Sequence, residues 1–210
     1  WCLLVALALC AAVGAPLAVF GWMDAAVLGR DTPISAQTGK LAVSSSDLPL
    51  VEHIHNALGE TNAQEQSSRP ATLEEMESGL SDFLSSGVLP QWVADVWEQV
   101  CQTGVGTVTV TYGTDIISYG YNGTDGVSCS YTTDLASGCV LGFQLYTKEE
   151  HTTSQERRQA VMERYIQYLG LDVLGDWVYN GNRYQSTEAQ LFVNALLEED
   201  SGGFSIGVEL

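Results

Sequence analysis

The chain has 210 residues, 45% of them hydrophobic, which is enough for one domain with a real core and argues against wholesale disorder. Its 26 acidic residues outweigh 8 basic ones, giving a formal net charge of −18. A field of that sign repels phosphate backbones, so nucleic acid is set aside as a partner, while cationic ligands and basic surfaces stay open.

Residues 1–23, WCLLVALALCAAVGAPLAVFGWM, contain no charged side chain. As a helix they would span roughly 34 Å, enough for a bilayer core of about 30 Å. Trp1 and Trp22 bracket the run as interfacial aromatics do, and Gly14 and Pro16 are tolerated inside a membrane helix. The length favours an uncleaved single-pass signal anchor over a signal peptide, whose apolar region usually runs about 7–15 residues. A buried core helix is the bland alternative. A lipoprotein cysteine at Cys10 is disfavoured, because Leu9 stands where a small residue is needed. The expected location is therefore the cell membrane, with the soluble part outside the cytoplasm, or secreted if the segment is cleaved. The first residue, Trp1, is not methionine, so further residues are expected upstream.

Residues 24–71 read as a stalk or linker, rich in Ser, Thr, Ala and Gly at first and polar and aperiodic over 59–71. A short helix near 48–58 interrupts it, with Asp47 as a cap and Leu50, Val51, Ile54, Ala57 and Leu58 at helical spacing. This stretch carries His53 and His55 beside Glu52. On a helix two residues two apart point about 200° from each other, so they cannot share a metal ion; zinc-binding histidines on helices stand at i and i+4 for that reason. A solvated helix face is the cheaper reading. The third histidine, His151, falls in the polar run KEEHTTS.

The soluble domain is expected over 72–210, as an α+β fold. Thr72 and Glu75 form a capping-box pattern ahead of Leu73, Met76, Leu80, Phe83 and Leu84, and Gly87 can stop that helix. Pro90 suits the start of a second, whose apolar face is Val93, Val96, Trp97, Val100 and Cys101, ended by Gly104. The period then becomes two. Segments 107–113, 116–122, 127–132 and 139–147 alternate apolar and polar residues between Gly, Asn and Asp turns, which predicts an antiparallel meander. A third helix follows over 154–169, with Thr153 and Glu156 as its capping box and Gly170 as its stop. Beyond it, 177–184 centres on Asn180-Gly181, a hairpin signal, and 204–210 alternates again. The segment 188–199 fits either period, and strand is preferred. The sum is an antiparallel sheet of about six or seven strands with helices on one face. Tyr-Asn-Gly recurs at 119–126 and 179–181, but the flanking residues do not align as a repeat.

Cys129 and Cys139 fall on one face of neighbouring strands, and a loop centred near Asp134 would set them opposite each other, a candidate disulfide in an exported domain. The bland reading is two packed thiols. Cys101 lies on the apolar face of its helix. No C-x-x-C, G-x-S-x-G, Walker A or G-x-G-x-x-G motif occurs. The turn NGTDG, 122–126, offers oxygen ligands without the full calcium-loop spacing, and its Asn122-Gly123-Thr124 is a glycosylation sequon. Paired carboxylates such as Glu74/Glu75 and Glu149/Glu150 are explained by solvated helix starts and loops. No cofactor, metal or catalytic residue is assigned. The expected function is a membrane-anchored extracytoplasmic domain, non-enzymatic, that binds another protein or envelope component. The alternatives are an envelope hydrolase, metal-assisted through His53, His55 or His151, and a small-molecule sensor or carrier lined by the meander tyrosines.

Overall fold

The computed structural model describes residues 44–59, 67–113, 115–148, 155–198 and 202–210. The expected membrane segment 1–23, the first part of the stalk, His151 and the Thr153 cap lie outside these residues. Among the described residues no helix is long and apolar enough to cross a membrane.

Among the described residues the architecture is α+β: one nine-stranded antiparallel sheet and four α-helices. The helices are α1 (Pro49–Gly59), α2 (Leu73–Ser85), α3 (Gln91–Thr103) and α4 (Gln155–Tyr168). The strands are β1 (Ser67–Ala71), β2 (Gly106–Tyr112), β3 (Ile116–Gly123), β4 (Ser128–Asp134) and β5 (Val140–Tyr146). After α4 come β6 (Val178–Tyr179), β7 (Arg183–Ser186), β8 (Leu191–Glu198) and β9 (Gly203–Glu209).

The sheet order is β1-β2-β3-β4-β5-β9-β8-β7-β6. A helix followed by a four-strand meander therefore occurs twice, α3 with β2–β5 and α4 with β6–β9, and the last strands of the two meanders join at the centre. The architecture repeats where the sequence does not: pairing and burial are preserved by any alternating apolar pattern, whatever the residues are.

Helix starts follow their local chemistry. Thr72 Oγ1 accepts from the Glu75 amide at 3.1 Å, and the Thr72 amide donates to Glu75 Oε2 at 3.0 Å, the reciprocal capping box. Arg69 then clasps Glu75 with two bonds of 2.9 and 3.3 Å and adds one to Tyr112 Oη at 3.0 Å. Gly104 ends α3 in the left-handed region at φ 59°, where only glycine is at ease.

One face of the sheet is roofed by α2, α3 and α4. Phe83 meets Phe143, Trp97 meets Tyr121 edge-on, and Trp92 meets Phe204 edge-on, with ring centroids 5.7, 6.5 and 6.3 Å apart. The buried tyrosines give their hydroxyls to backbone carbonyls, as desolvated phenols must. Tyr131 Oη donates to Met76 O at 2.7 Å, Tyr121 Oη to Val105 O at 2.7 Å and Tyr165 Oη to Val140 O at 2.9 Å. Burial, with smaller contributions from neighbouring phenol and thiol groups, drives the Tyr131 and Tyr165 phenols well above their ordinary range. The meander tyrosines Tyr121 and Tyr131 are thus spent on packing beneath the helices.

Two stretches assigned to the linker belong to the fold. Helix α1 buries Val51 and Ile54 in the same core as the sheet. Strand β1 pairs with β2 from Ser67–Tyr112 to Ala71–Val108. It accounts for one of the strands beyond the expected six or seven, and the expected hairpin at 177–184 supplies β6 and β7, paired from Val178–Gln185 to Tyr179–Tyr184. The ambiguous segment 188–199 contains β8, a strand. Ahead of it, the Ser186 hydroxyl donates to Asp176 Oδ1 at 2.7 Å and accepts from the Ala189 amide at 3.0 Å, fixing the turn into β8.

Candidate binding face of the sheet

His53 and His55 leave α1 toward different partners, as helical spacing requires. His55 Nε2 donates to Ala189 O at 2.7 Å. His53, 35% exposed, turns Nδ1 toward Asp134 Oδ2 at 3.5 Å. Asp134 is only 1% exposed. Its Oδ2 accepts from the Ser137 amide at 2.6 Å, while Asp134 Oδ1 and His53 Nδ1 make no hydrogen bond. Among the described residues, no three His, Cys, Asp or Glu side chains converge as metal ligands.

The disulfide expectation is corrected. Cys101, Cys129 and Cys139 are free thiols. Cys129 stands opposite Leu145, and Thr133 stands opposite Val140, so the β4–β5 loop centres near Ser137 rather than Asp134. Cys139 therefore sits beside Asp134, whose amide donates to Cys139 O at 2.9 Å. That places it five residues along the strand from Cys129, about 16 Å, against the roughly 7 Å between Cα atoms that a disulfide tolerates. Burial pushes the Cys101 thiol up to about 11, and burial pushes the Cys129 thiol well above its ordinary value. Both are protonated and inert at neutral pH.

The 122–126 turn holds itself. Asp125 Oδ1 accepts from the Val127 amide at 3.1 Å, and the Gly123 amide donates to Val127 O at 2.8 Å. Asn122, the sequon residue, is exposed.

The feature that sequence reading missed is the other face of the sheet. Alternation sends Val108, Val110, Tyr121, Tyr131, Phe143, Phe204 and Ile206 under the helices, so the residues between them point away. Strand register aligns these into rows. One row runs Thr111, Ser118, Thr132, Gly142, Gly207, Asn194. The next runs Thr109, Gly120, Ser130, Gln144, Ser205, Leu196. A third runs Thr107, Asn122, Ser128, Tyr146, Gly203. Charge enters the first row only at its end, where Arg183 stands opposite Asn194. In a chain of net charge −18 this band is uncharged across most of the sheet.

Some of its hydroxyls bond each other, as Ser118 with Thr132 at 3.0 Å and Ser68 with Thr111 at 2.9 Å. Two large apolar side chains stand out of it, Leu196 at 45% and Tyr146 at 39% exposure. Near the β7 end the Arg183 guanidinium lies 3.8 Å over the Phe192 ring, a cation–π contact. At the centre, Gly142 and Gly207 face each other across the joint between the two meanders. Neither has a positive φ, and a Cβ at Gly142 would meet nothing within 4 Å. Glycine there costs about 0.5–1 kcal/mol relative to alanine; Gly142 stands beside the irregularity opposite Thr132 and Thr133, and strand glycines mark either such a bulge or close approach by another molecule.

The sheet edges are poor docking lines by comparison. Outer strand β1 carries Pro70, and outer strand β6 has two residues. Both devices blunt an edge against added strands. The signal for the uncharged face was present in the sequence as the polar half of each alternating segment, TVTVTY above all. Comparison with protein-family models, with curated proteins and with solved structures finds no match.

Proposed function

We propose that this chain is a membrane-tethered extracytoplasmic binding domain whose open sheet face docks another protein or an envelope component. The carrying observation is the uncharged band, three rows deep, on a strongly acidic chain. Cores of protein interfaces are depleted of charge, and adaptable binding surfaces favour Tyr, Ser, Gly and Asn. Tethering is supported by residues 1–23, a charge-free run long enough for a bilayer.

Protease shaving of intact cells carrying a C-terminal tag tests the location. Loss of the tag without lysis is the expected result. Protection until lysis contradicts it and moves the domain to the cytoplasmic side.

A hydrolytic reading draws support from one contact, the buried Asp134 carboxylate beside His53, since an acid that orients a histidine is one part of a nucleophilic triad. His53→Ala and Asp134→Asn separate the two readings. Binding by the open face survives both substitutions, whereas a hydrolase loses its turnover of generic ester substrates by a hundredfold or more, on the order of a general base's contribution.

A further inference from the structure

Resting on the proposed binding role of the open face, we infer that its partner is a basic protein that seats an uncharged projecting segment on the Gly142–Gly207 floor. Three observations fix that occupant. The floor is bare backbone: Gly142 and Gly207 pair directly, and a Cβ at Gly207 would find only ordinary contacts, 3.5 Å from Leu141 O and 3.6 Å from the Gly142 Cα. A side chain from outside can therefore reach the peptide groups between Gln144, Ser205, Asn194 and Thr132, which offer amide and hydroxyl partners around it. Beyond the band, at the end where β3 begins and β9 finishes, stand the exposed carboxylates Asp115 and Glu209, while Glu188 at the same end already accepts from the Ser45 amide at 3.0 Å. No charge enters the floor itself, so a charged tip would be buried unpaired there, while Lys or Arg beside the tip would face those carboxylates.

A second copy of this chain is the wrong occupant. Two molecules of net charge −18 repel each other. A neutral polysaccharide would use the amides and hydroxyls but would gain nothing from the acidic rim. A basic protein uses both.

The test uses the full chain purified in detergent and three probes. The first is a disulfide-cyclised peptide with Trp-Tyr at its tip and lysines on both flanks. The second is the same peptide with glutamates as flanks, and the third is a neutral hexamer of β-1,4-linked N-acetylglucosamine. Fluorescence polarisation of labelled probes is read against wild type, Gly142→Val, Gly207→Val and the double variant Asp115→Asn/Glu209→Gln. The lysine peptide is expected to bind at least about tenfold tighter than its glutamate twin, as like-charge juxtaposition predicts. Each valine variant should lose at least about tenfold in affinity while keeping its thermal midpoint, because valine suits a strand with open space above it. The rim variant should flatten the salt dependence.

Several outcomes overturn the inference. One is lysine-peptide binding that ignores both valine substitutions, which is attraction to net charge alone. Others are failure of the lysine peptide to bind, and saccharide binding that the valine variants abolish. None of these touches the location of the domain, and a failed shaving experiment leaves the peptide result standing, so the two conclusions fall separately.

Discussion

Gly79 of α2 lies so close to Tyr131 of β4 that a Cβ on Gly79 would stand 2.5 Å from the Tyr131 hydroxyl. That hydroxyl already donates to Met76 O one helical turn away, so the ring cannot retreat without breaking a buried bond. The glycine is what lets α2 settle onto the sheet.

Gly79→Ala should therefore destabilise the fold by about 1–3 kcal/mol, the usual cost of overpacking, although helix propensity alone argues for a gain of about 1 kcal/mol. Tyr131→Phe removes the obstructing oxygen and should recover part of that loss in the double variant. Denaturant unfolding of the three variants checks both statements.

Acid should loosen the start of α2. The hydrogen bonds from Arg69 hold the Glu75 carboxyl below its ordinary value of 4.5, with the Thr72 amide adding to the effect. A carboxylate with a depressed folded-state pKa contributes stability that is complete above its unfolded pKa and is lost as pH falls through the folded one. The contribution is thus whole at neutral pH and fades below 4.5. Glu75→Gln should remove this acid-sensitive step, seen by amide exchange over residues 72–76 as a function of pH. The pair is solvent-exposed, so the effect should also shrink in high salt.

Oxidation should leave Cys129 and Cys139 unlinked. Their separation along the β4–β5 hairpin is more than twice the span of a disulfide. Half-buried Cys101 and buried Cys129, whose thiols stay protonated, should alkylate slowly in the native protein and quickly after denaturation. Mass spectrometry of peptides after timed iodoacetamide treatment reads both outcomes. A cross-linked peptide carrying Cys129 and Cys139 would contradict the register.

Much of this fold was legible because its signals are local. Thr72 and Glu75 are a capping box in sequence and in space, Gly104 stops a helix in both, and alternation from Thr107 onward marks the meander. Long-range pairing was the part that local signals could not carry. Strand β1, SSRPA, has no apolar alternation and contains a proline; it is a strand because β2 lies beside it and Arg69 ties it to Glu75 and Tyr112. The cysteine pair failed on a shift in loop centre from Asp134 to Ser137, with an irregularity between Thr132 and Thr133 that no composition rule announces. The uncharged face went unread for another reason. Attention to which residues alternate inward hides what the outward ones share, and only register shows that Gly142 and Gly207, far apart in sequence, make one floor.

The clamp on α1 offers a last structural check. His55→Ala removes the bond to Ala189 O and should cost about 1 kcal/mol, the net worth of one hydrogen bond. Local loss of amide protection in α1, with the sheet unchanged, is the pattern expected from a contact at one end of the fold.

The most direct measurement is photo-crosslinking in intact cells, with a benzophenone amino acid placed at Ser130 on the open face or at Glu98 on α3. The expected result is a discrete protein adduct from Ser130 that disappears with Gly142→Val and does not form from Glu98. Adducts from Glu98 with none from Ser130 would contradict it and put the working surface on the helices.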